Sequence, residues 1–174
     1  PMNTGAEAVE TAIKLCRKYA YEKKGIAENE AVIIVCENNF HGRTTTIVSF
    51  SNDEDARKNF GPYTPGFVKI PYNDLDALEE ALKQDNVAGF LVEPIQGEAG
   101  VYVPNDGYLK GAYDLCKAND ALFIADEVQT GIARTGKLLA VNYDDVQPDI
   151  LILGKAVSGG VYPVSAVLAD DEIM

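Results

Sequence analysis

Histidine occurs once in this chain, cysteine three times, and no apolar stretch approaches the ~20 residues that cross a bilayer. Neither a membrane-spanning helix nor a signal peptide is expected. Basic residues are scarce: 15 Lys and Arg stand against 27 Asp and Glu, giving a net charge of -12. That balance argues against a nucleic-acid partner or an anionic membrane surface, and leaves open the charge of a small substrate, which feels only the local field. Cys16, Cys36 and Cys116 are odd in number, far apart and without metal-ligand spacing. They read as reduced core residues, so no metal site is expected, and the compartment is the cytoplasm, or the mitochondrial matrix if the source is eukaryotic. There are no internal repeats and no low-complexity tract.

With 174 residues, 47% of them hydrophobic, the chain suits one domain with a sizeable core. Thr4 and Glu7 form a capping-box pattern, and Ala8, Ala12, Leu15, Cys16 and Tyr19 recur at helical spacing until Gly25. Buried strands are predicted over 31–36, 67–70, 87–92, 122–125 and 150–153, with a last one over 164–168. Helical segments begin at Asp74 and Gly107, and a short one lies near 138–143. Asn52-Asp53-Glu54-Asp55 reads as a solvated loop. Strands alternating with helices indicate βαβ units, hence an α/β fold of three layers, α/β/α, around a mostly parallel sheet. The chain opens directly onto a helix and stops just after an apolar run, so it reads as a piece of a longer one.

Parallel strands present their carboxyl ends along one edge, where open α/β sheets bind ligands. Glu93, Asp126 and Lys155 each follow such a strand. Lys155 comes after Ile150-Leu151-Ile152-Leu153-Gly154, an apolar run expected to be covered on both faces. Two readings are open. The three charges form a salt-bridge network, with the lysine stem reaching water. Alternatively, desolvation lowers the lysine pKa and frees a neutral amine for Schiff-base chemistry. If the carbonyl belonged to pyridoxal phosphate, Asp126 could face the ring nitrogen, and the helix start at Asn3-Thr4-Gly5-Ala6 could hold the phosphate.

NTGAEAVE at 3–10, FHGRT at 40–44, EPIQGEAG at 93–100, ADEVQTGIARTG at 125–136 and LGKAVSGG at 153–160 resemble the class III pyridoxal-phosphate aminotransferases over the whole chain. The resemblance implies the large domain of a fold-type I enzyme, here residues 1–174, with the small domain and the N-terminal segment absent. It further implies pyridoxal 5'-phosphate as cofactor, an amino-acid donor, a 2-oxo acid acceptor and a homodimer. Lys155 would form the Schiff base and move the proton. Asp126 would pair with the ring nitrogen, Gln129 would reach the ring's 3-oxygen side, Gly5 and Ala6 would hold the phosphate, and Phe40 would stack on the ring. Arg43 would take a substrate carboxylate, and Glu98 would mask a second arginine that has no match in this sequence.

Residues 61–67, 71–75 and 160–166, with alanine at 99 and 133, resemble the members that pass the δ-amino group of ornithine to 2-oxoglutarate. Members acting on acetylornithine or 4-aminobutyrate are the near alternatives. A non-catalytic structural domain is the alternative of another class. His41 reads as a packing or supporting residue, Arg134 as a possible brace for Glu93 or Asp126, and Ser158 with its two following glycines as a place where backbone passes close to the cofactor.

Overall fold

The computed structural model describes all 174 residues. Helix α1 spans Gly5–Glu22, and its buried positions Ala8, Val9, Ala12, Ile13, Cys16 and Ala20 form one apolar stripe. Strand β1 follows at Val32–Cys36, then a 3-10 turn at Ile47–Phe50, a one-turn helix α2 at Glu54–Arg57 and strand β2 at Phe67–Ile70. Next come α3 (Leu75–Leu82), β3 (Val87–Val92), α4 (Tyr108–Ala118) and β4 (Leu122–Asp126). A 3-10 turn at Ala140–Asp144, β5 (Ile150–Leu153), a 3-10 turn at Lys155–Ser158 and β6 (Ala166–Ala169) complete the chain.

The strands form one six-stranded sheet in the order β2-β1-β3-β4-β5-β6. β1 to β5 pair in parallel, and β6 returns antiparallel to β5. Successive strand residues face opposite sides, which divides the interior into two cores. Ile34, Phe90 and Phe123 pack under α3 and α4, whereas Ile33, Val35, Leu91, Ile124 and Ile152 pack under α1. The three-layer α/β/α architecture expected from the sequence is thus the observed one. Cys16, Cys36 and Cys116 are free and buried in these cores, and burial pushes each thiol up to about 12.

Several local expectations are corrected. The acidic stretch at 52–55 is not all loop: the Asp53 carboxylate accepts from the Asp55 N–H and starts α2. The segment near 138–143 is a 3-10 turn, and the final strand begins two residues later than expected. β5 is not covered on both faces. Ile150 and Ile152 are buried under α1, but Leu151 and Leu153 are only half-buried, because α3 and α4 lie over other strands.

Candidate active site

The first turn of α1 has a limited stock of free donors, and its capping box decides which remain. The Thr4 hydroxyl accepts from the Glu7 N–H at 3.2 Å, while the Glu7 carboxylate accepts from the N–H groups of Asn3 and Thr4 at 3.0 and 2.7 Å. The N–H groups of Gly5 and Ala6 have no protein partner. A helix start with two adjacent unused N–H groups is an anion site in the making. Its position is fixed from the far end of the chain: Met2 and Ser165 exchange two backbone hydrogen bonds at 2.8 Å, and the Ser165 hydroxyl donates to the Thr4 carbonyl at 2.6 Å.

Gly5 owes its lack of a side chain to packing as well as to any ligand. A Cβ there would lie 2.8 Å from the Val128 Cγ1, and one at Gly154 would lie 3.1 Å from the same atom. These two glycines bring the helix start, the turn after β4 and the end of β5 together. Between them lies a cavity of about 170 Å³, lined by Gly5, Ala6, Phe40, His41, Gly42, Glu93, Ile95, Asp126, Val128, Gln129 and Lys155. It sits at the carboxyl ends of β1, β3, β4 and β5, beside the place where the order turns from β2-β1 to β1-β3. That is the edge where doubly wound sheets bind ligands.

Asp126 ends β4 with 5% of its surface exposed, and its carboxylate is held at both oxygens. Oδ1 accepts from the Val128 N–H at 3.1 Å, and Oδ2 lies 2.7 Å from the His41 Nδ1. Burial opposes a charged imidazole, but the hydrogen bond and charge of Asp126, with the charge of Glu93 behind them, outweigh it and raise the His41 pKa. Glu93 ends β3, is also buried, and accepts from the Phe40 N–H at 3.0 Å. Burial pushes its carboxyl up to about 7, against the opposing pull of His41 and the Phe40 N–H.

Lys155 lies where the motif reading placed it, but not in the expected environment. It is exposed on the cavity rim rather than desolvated, because it stands beyond buried Gly154 on the turn that leaves the sheet. Its Nζ donates to the Gln129 side-chain carbonyl. The residue holds a left-handed backbone, φ 42°, which costs a side-chain-bearing residue roughly 1–3 kcal/mol.

Arg43 and Glu98 line a second cavity of about 410 Å³ that shares Phe40, His41 and Gly42 with the first. Both side chains are exposed, and the Arg43 guanidinium stands 5.6 Å from the centre of the Phe40 ring. Every predicted site residue therefore borders one of two adjoining spaces. Other expectations are corrected. Arg134 is exposed and makes no ion pair, so it braces neither Glu93 nor Asp126. The Ser158 hydroxyl donates to the Lys155 carbonyl and accepts from the Gly160 N–H, serving its own turn. The salt-bridge network drawn through Lys155 is absent too: the buried ion pair of this edge joins Asp126 to His41. That pairing, and the roles of Val128 and Ile95 as apolar lining, were missed. Only the sequential neighbours Phe40 and Gly42 hinted that His41 borders the site.

The donor set has a definite chemistry. Two unused N–H groups suit a small oxyanion, Phe40, Ile95 and Val128 offer apolar surface to a flat ring, a fixed carboxylate suits a cationic ring nitrogen, and an amine suits a carbonyl. Comparison with known proteins gives a consistent result. The family model described as "Aminotransferase class-III" matches residues 1–174. Mitochondrial ornithine aminotransferase of Drosophila ananassae is 65% identical over 174 residues, all of this chain and 40% of that protein. The crystal structure of ornithine aminotransferase from Toxoplasma gondii superposes with a TM-score of 0.99 at 57% identity, covering 99% of this chain and 41% of that one. The structure of acetylornithine aminotransferase from Elizabethkingia anophelis does so with a TM-score of 0.85 at 72% identity, covering 99% and 42%. The chain thus spans about two fifths of the length of the relatives it matches.

Proposed function

This chain belongs to the class III aminotransferases, and from that membership we propose that the full-length protein passes the δ-amino group of ornithine to 2-oxoglutarate with pyridoxal 5'-phosphate as cofactor. The observation that carries the reading is the first cavity, where the free N–H groups of Gly5 and Ala6, the Asp126 carboxylate and the Lys155 amine meet around apolar walls. Gly5 and Ala6 would hold the phosphate, Phe40 and Val128 would pack on the ring, and Gln129 would stand near its oxygen substituent. When bound, the cofactor supplies an aldehyde that condenses with amines and a cationic ring that draws electrons from the adjoining carbon.

The chain's own groups do the rest. Asp126, its carboxylate fixed at both oxygens, would face the ring nitrogen and favour its protonated form. Lys155 Nζ, at the rim, would be the amine that holds the cofactor's aldehyde and the group that carries the proton at the substrate carbon. Gln129 accepts a hydrogen bond from that Nζ and so limits where it can swing. Arg43 offers a planar fork to a substrate carboxylate. Glu98 borders the same space, and a guanidinium with a carboxylate suits a zwitterionic amino acid.

The acetylornithine reading rests on one observation, the 72% identity to the Elizabethkingia enzyme of that name. The protein is further read as a homodimer of the cytoplasm, or of the mitochondrial matrix in a eukaryote; the Drosophila relative's name says "mitochondrial". No helix is long and apolar enough to cross a membrane. Borohydride reduction of the cofactor-loaded full-length protein, followed by peptide mapping, is expected to place the adduct on Lys155; an adduct elsewhere or none overturns the mechanism. Half-reaction rates with ornithine, acetylornithine and 4-aminobutyrate test the substrate, and ornithine as the poorest donor overturns that choice.

A further inference from the structure

The segments NTGAEAVE and FHGRT end on Glu10 and Thr44, and in the fold these two residues meet. The Thr44 hydroxyl donates to the Glu10 carboxylate, across 34 residues of sequence, and accepts from the Ile47 N–H at 3.3 Å. Both capacities of the hydroxyl are thus used: one ties it to the second turn of α1, the other to the 3-10 turn at Ile47–Phe50. A hydrogen bond to a carboxylate is charge-assisted and belongs to the stronger kind. Both residues are half-buried, which limits competition from water for the bond.

A second contact lies two residues earlier. Gly42 packs on Ala6, where a Cβ would come 2.8 Å from the Ala6 Cβ and 3.3 Å from its Cα. Ala6 and Glu10 are four residues apart on α1, so they stand one turn apart on one face of the helix. Gly42 and Thr44 are both set against that face, and Arg43 between them is exposed and borders the second cavity. Arg43 is consequently pinned to α1 on each side. The same helix carries, at Gly5 and Ala6, the free N–H groups of the anion site. The two places for negative charge, helix start and guanidinium, are therefore referenced to one rigid element.

On the footing of the cofactor and Arg43 readings above, we propose that Thr44 and Glu10 are positioning residues for substrate: their hydrogen bond holds Arg43 at a fixed reach from the helix start, and so sets where the donor's carboxylate rests relative to the cofactor. Neither side chain borders either cavity, so they act through Arg43 and not on substrate. A carboxylate held alike in the ground and transition states contributes to KM rather than to kcat. Without the bond the loop spends less time in the competent position, and the apparent affinity falls by that fraction.

The test uses the full-length, cofactor-loaded protein and whichever of ornithine, acetylornithine and 4-aminobutyrate it uses fastest as donor. Thr44→Val keeps the shape and loses the hydroxyl, Thr44→Ser keeps the hydroxyl, and Glu10→Gln keeps an acceptor without its charge. Thr44→Val is expected to raise KM for the donor about tenfold, the loss of one charge-assisted hydrogen bond, with kcat and cofactor affinity within about twofold of wild type. Thr44→Ser is expected to return KM to near the wild-type value. Glu10→Gln is expected to raise it about threefold, since a neutral acceptor holds roughly half as strongly. A fall in kcat and cofactor affinity together, with KM unchanged, would mark a merely structural bond and overturns the proposal. If Thr44→Val does not fold, Glu10→Gln decides alone, and a wild-type KM there overturns it. Arg43→Gln is the reference: KM raised in that variant but not in Thr44→Val overturns the positioning role only, whereas KM unchanged in Arg43→Gln overturns the Arg43 reading and the positioning role with it. Wild-type protein that takes an amino group from none of the three donors overturns the cofactor reading as well.

Discussion

Glu93 sits where a carboxylate is least comfortable: buried, at a strand end, with Asp126 for a neighbour. Its carboxyl, at 4.5 in a free chain, is pushed up to about 7 by burial. The folded state therefore holds this proton to higher pH than the unfolded chain does. The stabilisation it brings is complete below about pH 4.5 and is lost as pH rises through about 7. Glu93→Gln removes the titration but keeps an acceptor for the Phe40 N–H. Thermal melts of the full-length apoprotein should lose less stability between those two pH values in the variant than in wild type. The difference at pH 8 should be on the order of 3 kcal/mol in the variant's favour. Parallel curves would count against the burial account. The same residue shows the limit of reading a sequence. That Glu93, Asp126 and Lys155 share an edge was legible, since each follows an apolar run. That Asp126 finds its counter-ion in His41 rather than Lys155 was not, because nothing in local spacing reports a contact between a strand end and a loop so far apart in sequence.

At the scale of elements, the start of α1 shows how one short motif does two things. Its capping box takes the N–H groups of Asn3, Thr4 and Glu7, and thereby selects Gly5 and Ala6 as the free pair. The helix and its cap were readable from Thr4 and Glu7. The packing that places it was not, because the glycine fit depends on Val128 from a distant turn. A methyl at Gly5 would meet Val128 Cγ1 at 2.8 Å. Gly5→Ala should therefore destabilise the full-length apoprotein by about 1–3 kcal/mol, the range for overpacking. Adding Val128→Ala should recover most of that loss in chemical denaturation, giving a coupling energy of the opposite sign. Additive losses would mean that the glycine is needed for backbone conformation rather than space. β5 carries a similar lesson. Its apolar run predicted a strand, but the half-burial of Leu151 and Leu153 follows from where α3 and α4 lie, which no run of residues records.

For the whole molecule, strand order does what no single element can. Placing β1 between β2 and β3 puts the Phe40–Arg43 loop beside Glu93, and β3 and β4 in turn bring Glu93 beside Asp126. Alternating strands and helices predicted the parallel sheet, while its order and the antiparallel return of β6 came only with the structure. Lys155 is exposed on the cavity rim, and Val157, Val161 and Tyr162 nearby are exposed as well. Residues 1–174 expressed alone should bind pyridoxal 5'-phosphate about tenfold more weakly than the full-length protein, measured by absorbance titration, because a solvent-exposed turn and lysine side chain lose conformational freedom on binding. Equal affinity would show that these residues suffice.

The junction of Met2 and Thr4 with Ser165 closes a covalent and hydrogen-bonded ring through nearly the entire chain. Within that ring, the peptide that would clasp a phosphate and the turn that bears Lys155 are separated by only one strand start. Grip and reach are consequently mechanical neighbours although they stand at opposite ends of the sequence. A change that loosens the Ser165 seam reaches both, without touching any group that contacts a ligand.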